Sequence, residues 1–243
     1  MDYSFLQCGE GALTVHLGDG IDPAINRRVT ALQGAIDSAG LRGITDLIPA
    51  YADLTVCYDC TVISAKALQR QLRRLLDSLS VAGQDRRRVF RLPVCYGGDY
   101  GPDLDFVCHH SGLSAQEVIE LHSAPDYLIY MLGFLPGFAY LGGLDPRLHT
   151  PRLDSPRTCI PAGSVGIGGA QTGVYPLASP GGWQLLGCTP VSVFDRQRQE
   201  PILYRAGDLV HFVPISPAEY EEIARAVAAG TYTVQVEEVP VCD

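Results

Sequence analysis

The sequence predicts an α+β chain in two parts, and three observations carry that prediction. The first ninety residues alternate pairs of short strand-like runs with stretches of helical, 3.6-residue periodicity. Beyond residue 135, glycine and proline punctuate many short apolar runs, the pattern of a closed barrel or a sandwich. Charge divides the same way: residues 1–91 hold eleven Lys/Arg against ten Asp/Glu, whereas residues 92–243 hold seven against seventeen. The boundary is set in the polar, arginine-rich stretch AGQDRRR (82–88). Residues 1–87 then form a small α+β domain and residues 88–243 a second domain of short strands, a barrel or a sandwich.

In the first part, YSFLQCG and ALTVHLG flank a Gly-Glu-Gly turn, with Leu13, Val15 and Leu17 alternating along the second run. Asp22 caps a helix that has Pro23 in its first position, Ile25, Val29, Leu32 and Ile36 on one face, and Gly40 after its end. GITDLIPAY and DLTVCYD make a second strand pair, and Ser64 caps a second helix whose apolar stripe is Leu68, Leu72, Leu75 and Leu79. Two helices on one face of a small antiparallel sheet give an α+β sandwich of ferredoxin-like kind.

The second part opens on a strand, VFRLPVCY, near residue 89. One short helix follows, with the capping box Ser114-Ala-Gln-Glu117 and with Val118, Ile119 and Leu121 facing inward. YLIYMLGF (127–134) is apolar throughout and needs cover on both faces. VGIGGAQTGVY, WQLLGC, VSVFD and LVHFVP follow as short strands, then a helix from Ser216 to Gly230 and a last strand, YTVQVEEV.

Composition narrows the function. The chain is 47% apolar and 19% charged, with no apolar run near the ~18 residues of a membrane span. Its start, MDYSFLQCGEGALTV, lacks a basic, then apolar, export signal, which points to the cytoplasm. The acidic second part repels phosphate backbones and argues against nucleic acid as a partner. Arg86, Arg87, Arg88 and Arg91 read as a solvated linker or interface edge. Eight cysteines in such a chain read as free, small buried hydrophobes, because Cys57-Tyr-Asp-Cys60 has no second close pair with which to hold zinc.

Few motifs carry chemistry. Ala162-Gly163-Ser164-Val165-Gly166 has the letters of a hydrolase elbow, but no helix follows it. The sole lysine, Lys66, sits in SAKAL without the glycine loop of a Walker motif. His109 and His110 are adjacent and diverge on any regular element, and His149 and His211 are isolated, so no metal is predicted. The informative set is aromatic: Phe134, Phe138, Tyr175 and Trp183 adjoin loop glycines or prolines and Tyr140 lies two residues from Gly142, as side chains lining a cleft do. GGAQTGVYPLASPGGWQLLG (168–187) holds six glycines and the only tryptophan. Its glycines are read as bringing backbone N–H groups close to a ligand. Arg147, Arg152 and Arg157 lie upstream as charged donors. Gln171 and Thr172 add hydrogen-bonding groups, suiting a small amide or carboxylate, or a proline-containing peptide.

YMLGFLPGFAYLGGLDPRLHTPRLDSPRT (130–158) and IPAGSVGIGGAQTGVYPLASPGGWQLLGCTPVSVFD (160–195), together with YGGDYGPDLDFV, closely resemble the family of the 5-oxoprolinase B subunit. That family is also labelled allophanate hydrolase subunit 1, and it includes the Kip-type inhibitor of a sporulation histidine kinase. The resemblance spans nearly the whole chain and implies a C-terminal cyclophilin-like barrel. It further implies a complex with C and A subunits that opens the lactam of 5-oxo-L-proline to L-glutamate, with ATP as co-substrate. The implied substrate cleft comprises Arg152, Arg157, Gln171, Thr172, Tyr175 and Trp183, and no catalytic residue is singled out. Cys188 stands where relatives commonly carry a basic residue, and Cys60 where they often carry proline. A Kip-type kinase inhibitor and a subunit of a urea- or allophanate-processing enzyme are the alternatives within the same resemblance.

Overall fold

A computed structural model describes residues 3–79 and 86–240, which divide into two compact units between Asp85 and Arg86. The first unit runs β1 (Ser4–Cys8), β2 (Ala12–His16), α1 (Pro23–Ala39), β3 (Ile44–Pro49), β4 (Asp53–Tyr58) and α2 (Ala65–Asp77). Its sheet is antiparallel throughout, in the order β1–β2–β4–β3. The Asp22 carboxylate accepts the Ala24 N–H at 2.6 Å, and Gly40 ends α1 at φ 55°. Val29, Leu32 and Ile36 of α1 share one core with alternate residues of β2 and β4 and with Leu68, Leu72 and Leu76 of α2. Leu76 replaces the expected Leu75 and Leu79 as the last buried leucine of α2, and those two border the core half-buried. The buried line follows the i, i+4 ridge of the helix through residues 68, 72 and 76.

The second unit runs β5 (Arg86–Tyr96), α3 (Leu104–Ser111), α4 (Ala115–Ser123), β6 (Tyr127–Leu132), β7 (Ala139–Gly142), β8 (Arg157–Ile160), β9 (Ser164–Gly168) and β10 (Gln171–Val174). It continues through β11 (Ser179–Gly181), β12 (Gln184–Cys188), β13 (Leu209–Ile215), α5 (Pro217–Ala228) and β14 (Gln235–Pro240). Seven strands in the order β12–β9–β10–β7–β6–β13–β5 close into a barrel where β12 meets β5 at Tyr96 and Cys95. Among the described residues, only β5 and β13 pair in parallel. The same edge of β5 that β12 occupies at one end is occupied by β14 at the other, over Arg86–Arg91. β8 and β11 form a separate two-stranded ribbon.

Four expectations are corrected here. The strand begins at Arg86 rather than 89, so Arg86, Arg88 and Arg91 lie on β5, while residues 82–85 fall outside those described. Acidic neighbours make this tolerable: Arg88 holds Asp208 in two bonds of 3.0 and 2.6 Å, and Arg91 holds Glu237 in two of 2.8 and 2.9 Å. Helix α3 was not foreseen, because it is short and buries only Leu104 and Val107. VSVFD forms no strand, only an isolated bridge between Phe194 and Ile202. The seven described cysteines are free, but only Cys95 is buried.

Candidate functional site

Alternation along neighbouring barrel strands builds two side-chain layers of opposite character. On β9, Val165 and Ile167 face the barrel core and Gly166 and Gly168 face away; on β10, Thr172 and Val174 face in, and Gln171 and Gly173 out. Ala139 and Leu141 of β7 join the core, leaving Phe138 and Tyr140 outside.

Outside the barrel, Phe138, Tyr175, Trp183, Leu185 and Ile160 form a small core of their own. The Phe138 ring lies 5.3 Å from Tyr140, 5.6 Å from Tyr175 and 5.5 Å from Trp183, edge to face in each case. Each such pair contributes about 0.5–1.5 kcal/mol beyond the area it buries. The glycines of the 168–187 stretch serve this layer: a Cβ at Gly168 would overlap the Trp183 indole, and one at Gly173 would stand 3.3 Å from its six-membered ring. The expectation that these glycines bring backbone N–H groups to a ligand is thus replaced, at both positions, by close approach of an indole.

The open side of the layer is a cleft of about 150 Å³ lined by Phe134, Phe138, Tyr140, Tyr175 and Trp183. Arg152, Pro180 and Gly181 at the end of β11, and Gly182 complete its wall. Arg147 is bound to Asp145 and Arg157 to Asp103, but Arg152 salt-bridges none of the described carboxylates; it reaches Gln171 Oε1 at 3.4 Å. The cleft of an acidic unit therefore presents one positive charge. Burial pushes the Tyr175 hydroxyl up from the usual tyrosine range, against the main-chain N–H of Trp183 and the Arg152 and Arg157 guanidinium groups. Phe134 stands at φ 64°, the sole non-glycine at positive φ among the described residues, a conformation that costs on the order of 1–2 kcal/mol.

Behind the cleft, Asp103 braces the wall. It accepts Arg157 Nη2 at 2.6 Å and the Leu185 N–H at 2.7 Å, and Arg157 Nη1 also donates to the Trp183 carbonyl at 3.3 Å. Arg157 is thus tied to the frame that holds the indole.

Inside the barrel, β10 contributes to a different arrangement. His122 of α4 is fully buried, stacked 4.8 Å from Phe212 at 15°. Its Nε2 lies 2.7 Å from Thr172 Oγ1 and its Nδ1 2.8 Å from the Tyr96 hydroxyl. Thr172 gives its own proton to the Gly166 carbonyl at 3.0 Å. Nε2 must then carry the imidazole proton and Nδ1 must accept from Tyr96, which fixes one neutral tautomer. Burial lowers the His122 pKa to about 3.

Of the six residues chosen from the sequence, the structure brings Arg152, Tyr175 and Trp183 to the cleft and puts Gln171 beside it through Arg152. Thr172 is corrected: it is wholly buried and serves His122 inside the barrel, because one step along a strand reverses the face. Arg157 is corrected from a lining residue to a brace. Asp103 and His122 are absent from the predicted set: Asp103 falls in the stretch YGGDYGPDLDFV, but nothing there singles out its carboxylate, and His122 lies in no motif; their separations of 82 and 50 residues from Leu185 and Thr172 leave no local signal. Among the described residues, no three His, Cys, Asp or Glu side chains cluster as a metal site would require, and no helix is long and apolar enough to cross a membrane.

Comparison with known proteins matches residues 3–204 to the family described as carboxyltransferase domain, subdomain C and D. The chain is 42% identical to the B subunit of 5-oxoprolinase from Bacillus subtilis (strain 168), over 90% of this chain and 95% of that one. A conserved protein of Pyrococcus horikoshii with a crystal structure is 43% identical, with a TM-score of 0.54 over 89% of this chain and all of that one. The urea carboxylase of Kluyveromyces lactis, 23% identical with a TM-score of 0.81, shares the fold over 98% of this chain, which spans 24% of that enzyme.

Proposed function

The chain belongs to the carboxyltransferase domain, subdomain C and D, family and, within it, groups with the B subunits of 5-oxoprolinase, and from that premise we propose that it is the B subunit of an ATP-dependent 5-oxoprolinase. In this reading it works with C and A subunits to hydrolyse the lactam C–N bond of 5-oxo-L-proline, giving L-glutamate. The observation that carries it is the 42% identity to a named 5-oxoprolinase B subunit along 95% of that subunit's length.

The cleft supports the reading chemically. Its aromatic walls suit the apolar edge of a five-membered ring, and Arg152 offers a guanidinium to the ring's carboxylate. Asp103 and Arg157 hold the Trp183 wall in place, so the ring meets a fixed surface. ATP would be bound chiefly by the partner subunits: Lys66 lies on α2 of the first unit with no phosphate loop before it, and the cleft is too small for a nucleotide. The test is reconstitution with the C and A subunits, reading glutamate released from 5-oxoproline in the presence of ATP. Glutamate release that depends on this chain is the expected result, and an unchanged rate without it refutes the proposal.

A further inference from the structure

Phe134 combines two unfavourable features, one of backbone and one of exposure. It holds positive φ where glycine would be at ease, and its side chain is 65% exposed, more than any other large apolar residue described. The loop enforces this conformation: Gly133 N–H donates to the Phe138 carbonyl, Leu135 N–H to that of Gly133 and Phe138 N–H to that of Leu135, at 3.2, 2.7 and 3.0 Å. The result is a ring set edge-on against Phe138, at 5.6 Å, on the rim of the cleft that also contains Arg152. Strain kept by a well-bonded turn, with the strained side chain aimed at a cavity, is the signature of a residue placed for a ligand.

We propose that Phe134 is the specificity-determining residue of this cleft, covering the uncharged ring of a cyclic amino-acid lactam whose carboxylate is taken by Arg152. The inference rests on the function proposed above and adds a selection rule. One guanidinium neutralises one carboxylate, and an aromatic cover over the rest of the ligand leaves a second carboxylate buried without a partner. The closed lactam is therefore accepted and the open-chain dicarboxylate product, glutamate, is disfavoured.

The experiment uses the reconstituted complex carrying Phe134→Gly or Arg152→Ala in this chain, with KM for 5-oxoproline, inhibition by added glutamate, subunit co-purification and the melting temperature of the free full-length chain as readouts. For Phe134→Gly the expected result is a KM at least tenfold higher, kcat within twofold, a tenfold loss of preference for the lactam over glutamate, and an equal or higher melting temperature. An unchanged KM and preference overturns the inference. So does a melting temperature lower by several degrees, which makes the ring structural, or lost co-purification with unchanged KM, which makes it a partner contact. If Phe134→Gly has no effect while Arg152→Ala raises KM, the inference fails and the function stands; if the complex containing the unaltered chain does not turn over 5-oxoproline, the function itself fails and takes the inference with it.

Discussion

Strand β10 serves two layers that differ in every respect except their origin in four consecutive residues. Its inward side gives Thr172 to a dry network in which each described proton has an acceptor: Tyr96 to His122, His122 to Thr172, Thr172 to Gly166. Its outward side gives Gln171 and the bare Gly173 to an aromatic layer that opens on solvent and carries an arginine that pairs with none of the described carboxylates. The inner layer is saturated and has nothing left to offer a ligand. The outer layer keeps one charge and one strained ring unused, and that asymmetry locates the candidate site more firmly than either layer alone.

The comparison can be broken at several points. Trp183→Ala removes the centre of the outer core and should cost about 3–5 kcal/mol in urea unfolding; a loss below about 1 kcal/mol would mean that the outer layer is not a core. Acid should act on the inner layer. His122 has a depressed folded pKa of about 3 against 6.5 unfolded, so its contribution is complete above pH 6.5 and falls as the pH drops toward 3. The loss reaches about 3 kcal/mol by pH 4. Stability of the unaltered chain and of His122→Gln, followed from pH 7 to pH 4, should show that share of the slope missing in the variant.

Thr172→Val leaves the buried His122 Nε2–H without an acceptor, for a cost of about 1–3 kcal/mol. It should nonetheless leave the KM of a reconstituted complex for 5-oxoproline unchanged; a KM effect without a stability effect would return Thr172 to the cleft. The smallest change in stability belongs to Arg152→Ala, within about 0.5 kcal/mol because the side chain is exposed and its bond to Gln171 is long. KM should rise about tenfold or more, the worth of one charge-assisted contact to a carboxylate.

Much of this was legible. The caps at Asp22, Ser64, Ser114 and Ser216 are local chemistry, and each helix starts where its cap placed it. The five aromatics predicted to line a cleft all line one cleft, because they lie on the outward face of neighbouring strands and the loops beside them. Thr172 was misplaced for an equally physical reason: composition shows that a polar residue is near an aromatic stretch, whereas the face it occupies depends on strand register. Helix α3 escaped because two buried positions in eight residues give no period to detect.

By itself, the sequence determined most of the element types, the caps of four helices, the separation into an α+β part and a second part of short strands, and the aromatic residues of the site. These follow from interactions within a few residues, which the order of the chain records directly. Closure of β12 onto β5, the Asp103 brace, the buried His122 network and the freedom of Arg152 from a carboxylate were decided only by the tertiary structure. Each depends on groups tens of residues apart meeting at about 3 Å, or failing to meet, and that is settled by strand register and burial once the barrel has closed.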